Sequence, residues 1–312
     1  MAKAPWHPER LAARLPFLDR RAALTAATRA FFAGRGYREV ETPCLVPAPG
    51  AEVHIRAFAT RFDPHLGTGS PRALWLRTSP ELAIKRLLAG GCGPVFELAR
   101  VWRNGEVSAR HAPEFTMLEW YRPGLSFDGL MDETEAYVRA VCPPVVEHDG
   151  VRTDLALRFE RLTMAEAFAR HCNGLDILAT DGDGPALRAA AAAAGFPPRD
   201  SEGWEDLFFR LLLERVEPAI GRGRATFLTH WPAAQAALAR RDPAEQRARF
   251  EDANAERRRI TGEHGWEVDE DFLAALEHGL PPTAGIALGF DRLAMLAAGA
   301  PRIEDVLWLP VP

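Results

Sequence analysis

The sequence predicts an α+β fold, an antiparallel sheet flanked by helices with a helical insertion over about residues 127–217. Three observations predict it. A helical run within Arg14–Arg35 stops at Gly34 and Gly36 and is followed by a short alternating segment, Tyr37–Pro43. Two alternating runs, Pro94–Arg103 and Glu114–Tyr121, flank the polar stretch 104–113, as in a long antiparallel hairpin. A small-residue strand, Ala284–Gly289, turns into an apolar helical run, Phe290–Leu296. Antiparallel strands with separate helices make an α+β layer rather than a doubly wound sheet.

In chain order, the first helix rests on Leu15, Leu18, Ala22, Thr25, Ala26, Phe31 and Phe32 at helical spacing. Leu74–Arg77 reads as a short strand running into Thr78-Ser79-Pro80-Glu81. There Thr78 or Ser79 can cap free amides, Pro80 suits the first helical position and Glu81 suits the positive helix end. That helix closes at Gly90-Gly91. In the hairpin, Arg103, Glu114 or its neighbours, and Glu119 are expected on one face. Within 127–217, Thr163–Glu166 fits a capping box and Ala186–Ala194 an alanine-rich helix closed by Gly195. Thr226–Pro232 reads as a strand and Pro243–Arg259 as a charged helix. No internal repeat or dividing linker is found, so residues 1–312 are expected to form a single domain.

Composition narrows the function classes. At 312 residues, 47% hydrophobic and 26% charged, the chain is an ordinary globular protein. Its net charge of -5 argues against a surface that coats nucleic acid. Cys44, Cys92, Cys142 and Cys172 form no C-x-x-C pair, which excludes a zinc cluster built on that spacing. With no signal peptide and no apolar run of about 18 residues, a cytoplasmic location with free thiols is expected.

Taken singly, the chemistry-bearing residues have ordinary structural explanations. Arg103 and Arg292 suit surface ion pairs, Phe115 suits a core, Gly285 and Gly289 suit close strand packing, and His111 suits a solvated loop. Their order changes the reading. The stretch F-F-A-G-R-G-Y-R-E-V-E-T-P-C-L resembles motif 1 of the class II aminoacyl-tRNA synthetases. R-V-W-R-N-G-E with H-A-P-E-F-T-M-L-E-W-Y resembles motif 2, and G-I-A-L-G-F-D-R-L resembles motif 3. The motif 2 wording and the T-S-P-E helix start are similar to the lysyl branch.

The resemblance implies amino-acid activation with ATP and Mg2+. It assigns Arg103 to the α-phosphate and the substrate carboxylate, and Arg292 to the γ-phosphate. Arginine suits both because its fixed charge forks two bonds to phosphate oxygens. Phe115 would stack on adenine, Gly289 would admit the nucleotide, and Asn104, Glu106 and His111 would belong to the loop over ATP. Ser79, Pro80, Glu81, Glu119, Tyr121 and Ala287 match positions lining a lysine-type pocket. Carboxylates belong there because an unpaired buried ammonium is costly. No general base is required, since the attacking carboxylate is already ionised.

Only about thirteen residues precede the motif 1 helix, too few for the anticodon-binding barrel of a lysyl-tRNA synthetase. The architecture, with V-E-T-P-C, G-G-C-G-P-V-F-E-L-A-R and H-A-P-E-F-T-M-L-E-W-Y-R-P, is similar to the elongation factor P lysyltransferases, a paralogous family. That implies transfer of lysine or (R)-β-lysine to a lysine of elongation factor P, and a homodimer through motif 1. The chain departs from the family in three places. Gly105 stands where many members have Glu, and Ala112 where some have Asn. Between Pro232 and motif 3 the family's strand with the pattern E-L-A-N-G-F-x-E is absent, with its carboxylates for magnesium and substrate. Metal ligands therefore stay unassigned. A non-catalytic binding or regulatory paralogue, and a lysine–tRNA ligase, stand as the alternative expectations.

Overall fold

The structure is a computed structural model that describes residues 4–50, 52–64, 70–235, 243–261 and 266–311, with backbone alone at 243–245 and 260–261. Contacts divide the chain into two units, Met1–Cys142 with Arg240–Pro312, and Pro143–Ala239.

The first unit opens with α1 (Pro8–Ala33), which starts at a proline and stops at Gly34. Gly36, at φ 76°, then turns the chain into β1 (Arg38–Glu39). Only these two residues of Tyr37–Pro43 pair, and they run parallel to β5. β2 (Leu45–Val46), β3 (Ala59–Phe62) and β4 (Arg72–Leu76) form a small sheet in the order β2-β4-β3. β4 leads into α2 (Glu81–Ala89), then β5 (Val95–Trp102), β6 (Glu114–Pro123) and α3 (Phe127–Val141).

The second unit holds β7 (Val145–His148), β8 (Val151–Asp154) and β9 (Glu160–Thr163), then α4 (Met164–His171), α5 (Gly184–Ala193) and α6 (Trp204–Leu211), and finally β10 (Gly223–Arg224) and β11 (Thr226–Thr229). The expectation of helix throughout 127–217 is therefore corrected. Three strands occupy 145–163, and α3 packs with α1 in the first unit. Short β-rich runs such as Val145-Val146 and Val151 carry strand propensity that the surrounding helical signals masked. The capping box at Thr163 and Glu166 forms as expected, with both reciprocal hydrogen bonds present. A core of Met164, Phe168, Leu187, Trp204 and Phe208 fills this unit.

The chain returns to the first unit with α7 (Pro243–Thr261), α8 (Glu270–Gly279), β12 (Thr283–Gly289) and α9 (Phe290–Ala298). Its main sheet has the order β1-β5-β6-β12, antiparallel except at β1. Behind it α1, α3 and α9 bury Leu24, Phe31, Phe32, Tyr137, Phe290 and Met295 against Phe96, Leu118 and Trp120. Phe32 stacks on Phe96 at a 4.8 Å centroid separation and meets Trp120, Tyr37 and Tyr137 within 5.3 Å. Such offset aromatic packing adds about 0.5–1.5 kcal/mol per pair beyond area burial.

Among the described residues β12 is an edge strand, paired only with β6. This agrees with the strand that the sequence pattern lacks. The expected junction across Ala236–Asp242 lies outside the described residues.

Candidate active site

Alternation along β6 sorts its residues between two faces. Leu118 and Trp120 point into the core, so Phe115, Met117, Glu119 and Tyr121 face the other way. Their register partners on β5 are Val101, Ala99, Glu97 and Val95, and on β12 Gly289, Ala287 and Gly285 stand opposite Met117, Glu119 and Tyr121. The same count places Glu114 on the core side, where it meets Arg100 at 3.8 Å. It does not share a face with Arg103 and Glu119 as expected, because the residue numbers differ by an odd interval.

The β12 column is small for a physical reason. A Cβ at Gly285 would lie 2.0 Å from Tyr121 Cδ1, so only glycine fits beside that ring. At Gly289 an added Cβ would make ordinary contact with the Arg292 side chain, so the protein itself does not demand glycine there.

Two clusters share this face. The first is an open cavity walled by Arg103, Glu106, Arg110, His111, Phe115, Met117, Ala287, Gly289 and Arg292 among others. Arg103 extends from the end of β5, held by its backbone N–H to Pro113 O at 2.9 Å. Its guanidinium lies 5.3 Å from the Phe115 ring centre and 3.7 Å from Glu106 Oε1. Arg103 Nε is buried without a hydrogen-bond partner among the described residues, a donor suited to an anionic ligand. Arg292 Nε donates to Arg110 O at 3.3 Å. His111 Nδ1 lies 2.7 Å from Ser108 Oγ. Burial, then the charge of Arg292, holds the His111 imidazole below its ordinary pKa, so it is neutral at pH 7. Asn104 is exposed outside this wall, its backbone N–H bonded to Arg56 O at 2.7 Å.

The second cluster gathers Ser79, Glu81, Glu119 and Tyr121. Glu119 is fully buried and accepts from Ser79 Oγ at 2.6 Å and Tyr121 OH at 2.8 Å. Burial, then the nearby Glu81 charge, pushes its carboxyl up to about 8, against the two hydrogen bonds. Glu81 pairs with Lys85 at 2.7 Å. Of the two capping candidates Ser79 serves, and only Pro80 stands one place earlier than expected. Ser79 Oγ accepts the Glu81 N–H at 3.0 Å, Pro80 stands just before the helix, and Thr78 donates to Pro49 O at 2.9 Å. This start is fixed from beneath by Arg77, which pairs with Glu97 at 2.8 Å and donates to Thr42 O and Arg100 O, each at 2.9 Å.

Sequence reasoning missed the residue that ties the three motif elements together. Asp291 opens α9, is 1% exposed, and accepts from Arg21 of α1 at 2.5 Å and from the Thr116 N–H of β6 at 2.8 Å. Its available signal was an acidic residue in a first helical turn beside Arg292.

This face can hold an anion at the arginines and a cation at the carboxylates. For magnesium the fit is poor. Among the described residues no three His, Cys, Asp or Glu side chains gather as metal ligands, and Asp291 is already committed to Arg21.

The family model for class II tRNA synthetases (D, K and N) matches residues 14–311. The elongation factor P–(R)-β-lysine ligase of Salmonella dublin is 39% identical over 338 residues, covering 97% of each chain. The enzyme of the same name from Klebsiella pneumoniae (strain 342) is 40% identical with the same coverage. The 338 aligned positions exceed the 312 residues of the chain by 26, so at least that many have no counterpart here. No described helix is long and apolar enough to cross a membrane.

Proposed function

Because the chain belongs to the class II tRNA synthetases (D, K and N), we propose that it activates lysine or (R)-β-lysine with ATP and passes the aminoacyl group to a lysine of elongation factor P. The observation that carries this reading is one sheet face bearing both an arginine–aromatic cavity and a buried carboxylate pocket, side by side on β6. Relatives bearing the ligase name over 97% of the chain support the choice of acceptor.

In the first step the substrate carboxylate attacks the α-phosphorus, the bond to the β-phosphate bridging oxygen breaks, and pyrophosphate leaves. Arg103 faces the charge that builds on the α-phosphate and Arg292 the distal phosphates, acting as fixed donors that need no reorganisation. Phe115 presents its ring to adenine, and neutral His111 can donate a hydrogen bond without repelling the arginines. In the second step a neutral lysine amine of the acceptor attacks the acyl carbonyl. An amide forms, AMP leaves with the bonding pair, and the amine proton passes to solvent. Magnesium would accompany ATP in this family. The described residues offer it no ligand set, so no step is assigned to it. The setting is the cytoplasm, and tRNA is not the acceptor.

A second reading, a non-catalytic paralogue that binds without turnover, is favoured by the 26 or more positions without a counterpart. Incubation with ATP, Mg2+, labelled (R)-β-lysine or α-lysine, and elongation factor P separates them. Label covalently attached to the factor supports the ligase. Tight substrate binding with no label on the factor supports the paralogue.

A further inference from the structure

Resting on that reading of the site, we propose that Ser108, which stands outside the cavity wall, is a positioning residue for ATP. Its hydroxyl holds the His111 ring in the tautomer that turns an N–H toward the distal phosphates. Ser108 did not stand among the candidates from sequence.

The segment that carries both residues is pinned from several directions. Ser108 and His111 close a tight turn, with Ser108 N–H donating to His111 O at 3.1 Å and His111 N–H to Ser108 O at 3.4 Å. Ala109 and Arg110, between them, are tied to distant parts of the same unit. Ile303 N–H donates to Ala109 O at 2.8 Å, and Arg292 Nε of α9 donates to Arg110 O at 3.3 Å. These ties put the turn at the Arg292 end of the cavity, the end proposed to take the distal phosphates. His111 follows Arg110 in the chain and is part of the wall there, whereas Ser108 is not.

Within the turn, the hydrogen bonds sort donors from acceptors. The His111 ring meets Ser108 Oγ through Nδ1, at 2.7 Å. Ser108 Oγ itself accepts the Arg110 N–H at 3.2 Å, in the manner of a serine turn, which leaves its own hydroxyl proton available to the ring. Among the described residues no carbonyl or carboxylate reaches either ring nitrogen. The ring is neutral at pH 7, as burial and then the Arg292 charge dictate, so it carries a single N–H. With Nδ1 engaged on the Ser108 side, Nε2 is the nitrogen left to the cavity.

The position of that one proton decides what the ligand meets. A proton on Nδ1 would turn the Nε2 lone pair toward a phosphate oxygen, which repels it. A proton on Nε2 makes every donor point the same way. Arg110 N–H donates to Oγ, the Ser108 hydroxyl to Nδ1, and Nε2–H to the phosphate, each bond polarising the next. The ring thus adds a directed donor beside Arg292 without adding another positive charge.

Nitrogen NMR of ligand-free protein carrying isotope-labelled histidine, at pH 8, reads the tautomer directly. The His111 signals are assigned by their loss in His111→Gln. Wild-type His111 is expected to carry its proton on Nε2. Ser108→Ala is expected to raise the share of the other tautomer about threefold or more, and Ser108→Thr to restore the wild-type state. Separate titrations read the consequence. Ser108→Ala is expected to weaken ATP about two- to tenfold with AMP unchanged, and to add nothing in a His111→Gln background. A wild-type ring protonated on Nδ1, or a tautomer that Ser108→Ala does not move, would overturn the inference alone. So would ATP affinity that Ser108→Ala leaves intact, or equal losses for ATP and AMP. A folded wild-type protein that binds neither nucleotide would overturn the proposed function and this inference with it.

Discussion

Glu119 shows how one buried group sets a pH dependence. Its carboxyl is pushed up to about 8, so in the free protein it is protonated at neutral pH. A bound ammonium favours the ionised form, so binding releases a proton. Affinity for lysine is therefore expected to rise by up to about tenfold per pH unit between pH 6 and 8 and to level off above 8. Stability runs the other way. The folded state binds this proton more tightly than the unfolded chain, so the group's contribution is present at low pH and is lost as pH rises toward 8. Glu119→Gln should abolish the binding slope and gain stability relative to wild type across pH 5 to 8, measured by titration calorimetry and urea unfolding at each pH.

Asp291 carries a different weight. Removing one partner of a buried pair leaves an uncompensated charge, so Asp291→Asn should destabilise by about 3–5 kcal/mol in urea unfolding. Arg21→Met in the same background should recover part of that loss, because the charge left behind disappears. The candidate list from sequence contained Arg292 but not its neighbour. Motif resemblance points to residues that touch ligand, whereas Asp291 is held by Arg21 and by the Thr116 N–H, a contact across 270 positions in the first case.

At the scale of elements, the site depends on the register of β5, β6 and β12, which sets Ala287 against Glu119 and Gly285 against Tyr121. Gly285→Ala would force a methyl against the Tyr121 ring. It should destabilise by about 1–3 kcal/mol and weaken lysine binding more than ATP binding, read by thermal unfolding and by separate titrations. The hairpin, the helix after Ser79, and the strand-to-helix turn at Gly289 were legible because alternation, capping chemistry and small residues act locally. The strands over 145–163 were not. Each is four residues long, and β9 and β8 also pair across distant sequence, with β11 and β10. β7 pairs with β8 next to it, and the Asp149-Gly150 turn between them was a local signal that the reading passed over. The face shared by Phe115, Glu119 and Tyr121 followed from parity alone, whereas the contact of Arg257 in α7 with Glu52 O spans 205 positions and is encoded by no short motif.

At the scale of the whole molecule, we propose a twofold dimer built on the motif 1 region. Light scattering at micromolar concentration should give twice 34.4 kDa. A mass of 34.4 kDa would remove the dimer from the account and leave the site chemistry standing.

The central claim is that this sheet face, lacking a pairing strand on the outer side of β12 among the described residues, still forms an aminoacyl-adenylate. Lysine-dependent ATP–pyrophosphate exchange tests it most directly, with purified protein, Mg2+, and α-lysine or (R)-β-lysine in turn. The account predicts exchange above the amino-acid-free background with at least one of the two, abolished by Arg103→Ala. No exchange with either, from protein shown to be folded, would contradict it and leave a binding paralogue in its place.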